Sequence, residues 1–311
     1  MRGTATRMCA AVVMTVPMSI SAAPAPSAPA PAPAPACKAD TGPSVIFHQD
    51  VPLYTVYAWE RWGNFINAQA GSKTEIPYDA ARLQVKVYTF PTGEIRAIRF
   101  ANGVRTHRHI NQTDTILYSW QAHRVQFVDD KATVTEPGDF ALHQKGVYHS
   151  GEEIRRGGGI DLEFAMTIPG IHNDPTGYWS LARDHPVEPA ASWRVGGDDV
   201  EAIGDAAARA PANAVRYQVR RADFPGYASR ELYLAKGTTL SSRDLRNDRL
   251  FFVLSGSVSV MGDKTPRTLV SEDALEARCG VNLAIQANED TKIVQTSVPA
   301  VLVSPIARRD R

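Results

Sequence analysis

Thr106-His107-Arg108-His109 and Pro137-Gly138-Asp139, the latter closing on Gly146-Val147-Tyr148-His149-Ser150, are the two phrases whose reading decides the fold of this chain. Five of the eight histidines, His107, His109, His123, His143 and His149, fall between Thr106 and Ser150. Side chains of a β-strand repeat with period two, so His107 and His109 share a face. Two imidazoles on one face offer two nitrogens to one cation, and imidazole is a common ligand of zinc, copper, iron and nickel. His149 adds a third after the Pro-Gly-Asp turn, on a strand that returns antiparallel to the first.

Around these phrases the chain reads as short strands punctuated by turns. Arg82–Tyr88 and Glu94–Phe100 alternate in period two about the Pro91-Thr92-Gly93 turn. Ile116–Trp120, His123–Val128, a hairpin turn at Asp129-Asp130-Lys131, Ala132–Thr135, Ala141–His143 and Ile160–Ile168 continue the pattern. Such spacing predicts an all-β sandwich or barrel. Residues 170–212 are turn-rich, with a helix expected over Val200–Ala208.

The pattern then repeats. Setting Gly256 on Ala122 carries Asp139 to Asp273 and Gly146 to Gly280, an offset of 134 residues that fits an internal duplication. The same register carries His149 to Leu283 and puts the counterparts of the other histidines near Ser242 and Asp244, and of the acidic position near Arg249. No histidine follows His185. The second half therefore reads as a structural copy without the metal phrase.

At the N-terminus, Arg2 and Arg7 precede an apolar run, Met8 to Ile20, too short to span a bilayer comfortably. With the small residues Ser21-Ala22-Ala23 it reads as a signal peptide, followed by an extended Ala/Pro tether. The chain is thus expected in a periplasm or outside the cell, with no integral membrane segment after cleavage. Cys37 and Cys279 would then be the cysteines left, and an oxidising compartment would allow them to pair. A net charge of +1 gives no support for a nucleic-acid partner. The glycines Gly157-Gly158-Gly159 lead into a strand and so form no phosphate cradle, and no hydrolytic triad stands out.

The two phrases resemble the motifs of the cupin superfamily, and the duplication makes the resemblance that of a two-domain bicupin. The family's first motif is His-x-His followed by an acidic residue; its second has a Gly, a Pro-x-Gly turn and a His. The resemblance implies two tandem double-stranded β-helix (jelly-roll) barrels with a short helical linker. The chain then divides into a signal peptide (1–23), a tether (24–44), a metal-binding barrel (45–170), a linker (171–212) and a degenerate barrel without metal ligands (213–311). It also implies one divalent metal, iron first and Mn, Ni, Cu or Zn as alternatives, on His107, His109, His149 and Asp114. Asp114 stands where the acidic ligand belongs, although the count back from Ala122 falls on Thr115; a three-histidine site is the alternative, with Gln112 a weaker substitute. The Pro-x-Gly slot reads Gln144-Lys145-Gly146, and His143 stands just before it. The turn interrupts alternation there, so hydrogen-bond partner, proton shuttle and surface residue all stay open for His143.

Three imidazoles, with or without a carboxylate, leave open positions on a metal that prefers five or six ligands, as catalysis requires. With iron these suit a dioxygenase acting on a small aromatic or enolic oxygenated molecule, its base being Asp114 or His143. With other metals they suit a lyase, decarboxylase or isomerase. A cupin that binds a small ligand without turning it over is the third expectation. The resemblance further implies a homodimer.

Overall fold

The computed structural model describes residues 42–57, 82–166, 177–180, 188–189, 192–194, 200–203 and 217–300, apart from positions 102, 105, 107, 108, 112, 129, 130, 225, 245 and 262–265. The expected signal peptide, tether and Cys37 lie outside the described residues, as do His107 and Gln112. Among the described residues, four antiparallel sheets hold almost all of the regular structure. Among the described residues no helix is long and apolar enough to cross a membrane.

In the first half, seven strands order as Gly177–Ser180, Phe140–His143, Thr115–Ser119, Gly159–Met166, Gly93–Phe100, Arg82–Thr89 and Tyr54–Tyr57. A four-stranded sheet, His109–Ile110, Tyr148–Glu153, Arg124–Val128 and Lys131–Thr135, packs over it. A buried ion pair between Arg124 of the small sheet and Asp161 of the large one, at 2.7 Å, joins the two layers. The second half repeats the arrangement with a seven-stranded and a six-stranded sheet. The architecture is therefore two tandem double-stranded β-helix barrels.

The duplication holds at the level of single ladder partners. Arg124 pairs with Glu153 and Gln126 with Gly151; the residues 134 positions on, Val258 with Ala287 and Val260 with Ile285, pair likewise. Both halves close the same turn with an aspartate. Asp139 accepts from the Glu136 amide and Asp273 from the Val270 amide, each at 2.8 Å. In the last strand the offset shortens to 132: Gly159 pairs with Phe100, and Thr291 with Leu234.

The segment expected to hold a helix behaves otherwise. Val200–Ile203 is a strand, pairing with Ser192–Arg194 on one side and Thr239–Arg243 on the other. Tertiary pairing overrides the local helical preference there. Residues 204–208 lie outside the described residues. In the second half Asn247–Ser255 and Ser257–Met261 are two strands separated at Gly256.

The two barrels differ at the positions of the histidines. In the second, Leu232, Leu240, Phe251, Val258, Leu283 and Ile285 belong to one buried cluster whose burial stabilises the barrel directly, and Arg230, Arg249 and Gln295 are also buried on its strands. The first carries buried polar groups in its interior, among them Arg124, Asp161, Glu153 and Glu163. Leu83, Val85, Ile98, Phe100 and Val104 form a small apolar cluster of its own, and further apolar side chains turn toward the other half. Tyr88, Ile116, Phe140, Leu162 and Phe164 share one core with Phe224, Leu250, Phe252 and Val298.

Candidate metal centre

Pairing of Tyr148–Glu153 with His109–Ile110 sets His149 directly opposite His109. Their ring centroids are 4.3 Å apart. His143 ends a strand of the other sheet, and its ring lies 4.4 Å from that of His149. Three imidazoles from both layers thus meet between the sheets, lining a cavity with Arg124, Gln126 and Glu163. Its free volume of ≈ 10 Å³ is room for about one water molecule or one ion.

The tautomer of His149 follows from its neighbour. Its Nδ1 lies 3.0 Å from the Val147 carbonyl oxygen, which only accepts, so Nδ1 carries the hydrogen and Nε2 the lone pair. Histidines that bind metals characteristically donate the other ring N–H in this way. Burial lowers the His149 pKa below 6.5, against the opposing effect of the Val147 hydrogen bond. Burial lowers His143 further, with His149, His109 and Arg124 acting in the same direction. The neutral imidazoles this favours are the form that binds metal.

Asp114 is turned elsewhere. Its Oδ1 accepts from the Lys145 amide and its Oδ2 from the Tyr227 hydroxyl, both at 2.8 Å. Burial and the adjacent Asp114 carboxylate keep the Tyr227 phenol protonated. The second half repeats the first of these bonds, Asp248 accepting from the Cys279 amide at 2.7 Å. The acidic position therefore corresponds to Asp248, one residue before the Arg249 expected from the count. Similarly, Ser242 faces Leu283 as His109 faces His149, where the count paired His109 with Asp244.

His123 is partly exposed, 3.9 Å from Glu136. His107, the other member of the His-x-His phrase, lies outside the described residues. Among the described residues no three His, Cys, Asp or Glu side chains converge on a metal position by themselves. The donor chemistry nevertheless fits a divalent ion: two imidazoles across one ladder step, that of His149 with a fixed tautomer, at a cavity the size of an ion.

The strand reading did not single out Arg124, Gln126 and Glu163. Arg124 donates to Asp161, lies 4.0 Å over the Phe100 ring and lines the cavity. Burial raises the Asp161 carboxyl even against this arginine. Burial likewise raises Glu163, ahead of the opposing Arg96 and Arg124 charges. The signal was present in the alternation of Arg124 with Gln126 and of Asp161 with Glu163, which in a one-sided sheet would point to solvent.

No protein-family model matches the chain, and no curated protein is similar to it. Solved structures share its fold. HEPD from Streptomyces albus, with Fe(II) and 2-hydroxyethylphosphonate bound, matches 87% of this chain and 79% of its own at 10% identity and a TM-score of 0.57. AerE from Microcystis aeruginosa matches 72% and 95% at 8% identity and 0.53. GK1651 from Geobacillus kaustophilus matches 70% and 90% at 16% identity and 0.50. At these identities the likeness is one of fold.

Proposed function

We propose that this chain is an exported, metal-dependent oxygenase of the cupin superfamily, with its centre in the first barrel and a small aromatic or enolic oxygenated molecule as substrate. The observation that carries the reading is the pairing of His109 with His149 at a polar, ion-sized cavity, where the positions equivalent to Arg124, Gln126 and His149 in the second barrel are the aliphatic Val258, Val260 and Leu283. His107, His109 and His149 would hold the ion. Of the two ligand sets open from the sequence, the three-histidine set fits the geometry better, because Asp114 commits both oxygens to Lys145 and Tyr227. His143 is buried against His149 as a neighbour of the ligands. Bound iron would supply redox chemistry toward O2, and a redox-inert ion would supply Lewis acidity alone.

A protein of the same fold holds Fe(II) together with its substrate, which supports iron as the first metal to test. The disulfide bond at Cys279 supports an oxidising compartment and hence export. The first barrel is assigned to residues 47–170 with Gly177–Ser180 rather than to 45–170. The second, without ligands, is assigned to 213–311 together with Ser44–Ile46, Glu188–Pro189, Ser192–Arg194 and Val200–Ile203, which pair into its sheets.

The test is elemental analysis of the purified protein beside a His109→Ala/His149→Ala variant. The expected result is about one equivalent of a transition metal in the parent, as a single-ion site requires, and little in the variant. Oxygen consumption with catechols as substrates then follows for the iron form. A folded parent that neither holds nor takes up metal overturns the reading.

A further inference from the structure

Each cavity position of the first barrel has a counterpart in the second, and their differences isolate what the cavity needs. Arg124, Gln126, His143 and His149 become Val258, Val260, Ala277 and Leu283, each 134 residues on. In the last strand the counterpart of Glu163 is Gln295. Glu163 pairs with Leu117 and Arg96, and Gln295 with Phe251 and Arg230, the same ladder positions. Both halves therefore keep the arginine, while the carboxylate occurs where the histidines are.

Arg96 is shared between two carboxylates: its Nε and Nη2 donate to Glu94 at 3.1 and 2.8 Å, and its Nη1 forms a longer ion pair with Glu163 at 3.7 Å. In the second barrel a neutral amide stands in the same place beside Arg230. Glu163 is 8% exposed and lines the cavity with His109, His143 and His149. A carboxylate raised by burial is a better base than an exposed one.

We propose that Glu163 accepts the proton of the substrate's phenolic or enolic hydroxyl as that oxygen reaches the edge of the cavity. The O–H bond breaks, the proton passes to a Glu163 carboxylate oxygen, and the bonding pair stays on the substrate oxygen, which faces the histidines as an anion. Phenols and enols are the fitting class because their acidity, near the roughly 10 of the tyrosine hydroxyl, is far closer to that of a carboxyl than an alkyl alcohol's is. This assignment rests on the metal-centre reading above.

The experiment loads the full protein with Zn(II) and titrates it with 4-nitrocatechol, whose visible absorption reports its ionisation, at a pH below the first ionisation of the free probe. Wild type is expected to bind the probe as an anion. Glu163→Gln is expected to keep its zinc and its melting temperature, and to bind the probe about tenfold more weakly or worse, the equivalent of at least one pKa unit. Glu153→Gln, which changes a buried carboxylate of the same barrel away from the cavity lining, is expected to bind as wild type does. Unchanged affinity and spectrum in Glu163→Gln overturn the proposal, as do loss of zinc from that variant, equal weakening in Glu153→Gln, and binding of the neutral probe or of none by zinc-loaded wild type. A folded wild type that takes up no zinc ends the metal reading itself, a result visible before any probe is added.

Discussion

Arg124 occupies the first barrel because the strand beside it has no side chain to obstruct it. A Cβ at Gly151 would lie 2.4 Å from Arg124 Nη2, whereas the counterpart of Gly151 is Ile285, beside the aliphatic Val258 and Val260 of the second barrel. Removing one partner of a buried ion pair leaves the other charge uncompensated, so Arg124→Met is expected to destabilise by about 3–5 kcal/mol. Arg124→Met/Asp161→Leu should recover most of that, since the counterparts Val258 and Ile293 are both aliphatic. Urea unfolding of the three proteins checks this, and a double variant no more stable than the single one would count against the pair acting as a unit. His143 and His149 make the metal-free protein sensitive to pH. Burial holds both below 6.5, so on acidification the unfolded chain takes up protons that the folded chain refuses. Stability present above the unfolded value is then lost as pH falls toward the folded ones. In chelator-treated protein, stability should decline from about pH 7 to 5, and His143→Ala/His149→Leu should flatten that slope.

At the scale of the element, the turn at Gly138 has its copy at Glu272, and the two show how a duplicated loop diverges. Gly138 has φ 97°, and Glu272 holds the same left-handed region at φ 75°. Glu272 tolerates it while its carboxylate pairs with Lys86, at 3.2 Å, and with Arg99 of the other barrel. Burial would raise the Glu272 carboxyl, but these two cations outweigh it and hold it below the ordinary value. Glu272→Gly and Glu272→Ala lose the same pairs, and only alanine keeps a Cβ at positive φ. The alanine variant is therefore expected to be the less stable by about 1 kcal/mol, measurable by thermal unfolding. Elements of this kind also mark where the sequence was legible. Alternation from Arg82 to Phe100 and the aspartate turns lay open to reading, because period-two burial and tight turns are written in neighbouring residues. The strand at Val200 was not, because one of its two partner strands stands some forty residues away at Thr239–Arg243 and local helical preference spoke first. The pairing of His109 with His149 was legible from the turn at Pro137-Gly138-Asp139 and the strand expected to return antiparallel after it. Glu163 was hidden by the change of offset from 134 to 132 before the last strand, which breaks the register that would have set it against Gln295. Asp114 sits at the acidic position of the motif, yet its two hydrogen bonds depend on Lys145 and Tyr227, which no local pattern connects to it.

The whole molecule is joined through the backs of its barrels. The shared apolar core is reinforced by buried hydrogen bonds across the halves: Tyr118 donates to Glu231 at 2.7 Å, Tyr227 to Asp114 at 2.8 Å, and Thr92 through its hydroxyl to Asp248 at 3.1 Å. Opening either barrel alone would expose that core and leave these groups without their partners, at about 1–3 kcal/mol each. The two barrels should therefore unfold as one cooperative unit, although only the first carries histidines at the cavity. Metal binding offers a direct check, because an ion bound to the folded state stabilises whatever unfolds with its site. At a hundred times the dissociation constant this amounts to about 2.7 kcal/mol. Native-state hydrogen exchange would read it at slowly exchanging amides of both halves, such as Leu162 in the first and Phe252 and Val294 in the second. With zinc added, protection of Phe252 and Val294 should rise by the same free energy as that of Leu162, and His149→Leu should abolish the rise throughout. Protection gained in the first barrel alone would mean that the halves unfold separately. The second barrel would then be a neighbour of the metal centre rather than part of the structure that holds it.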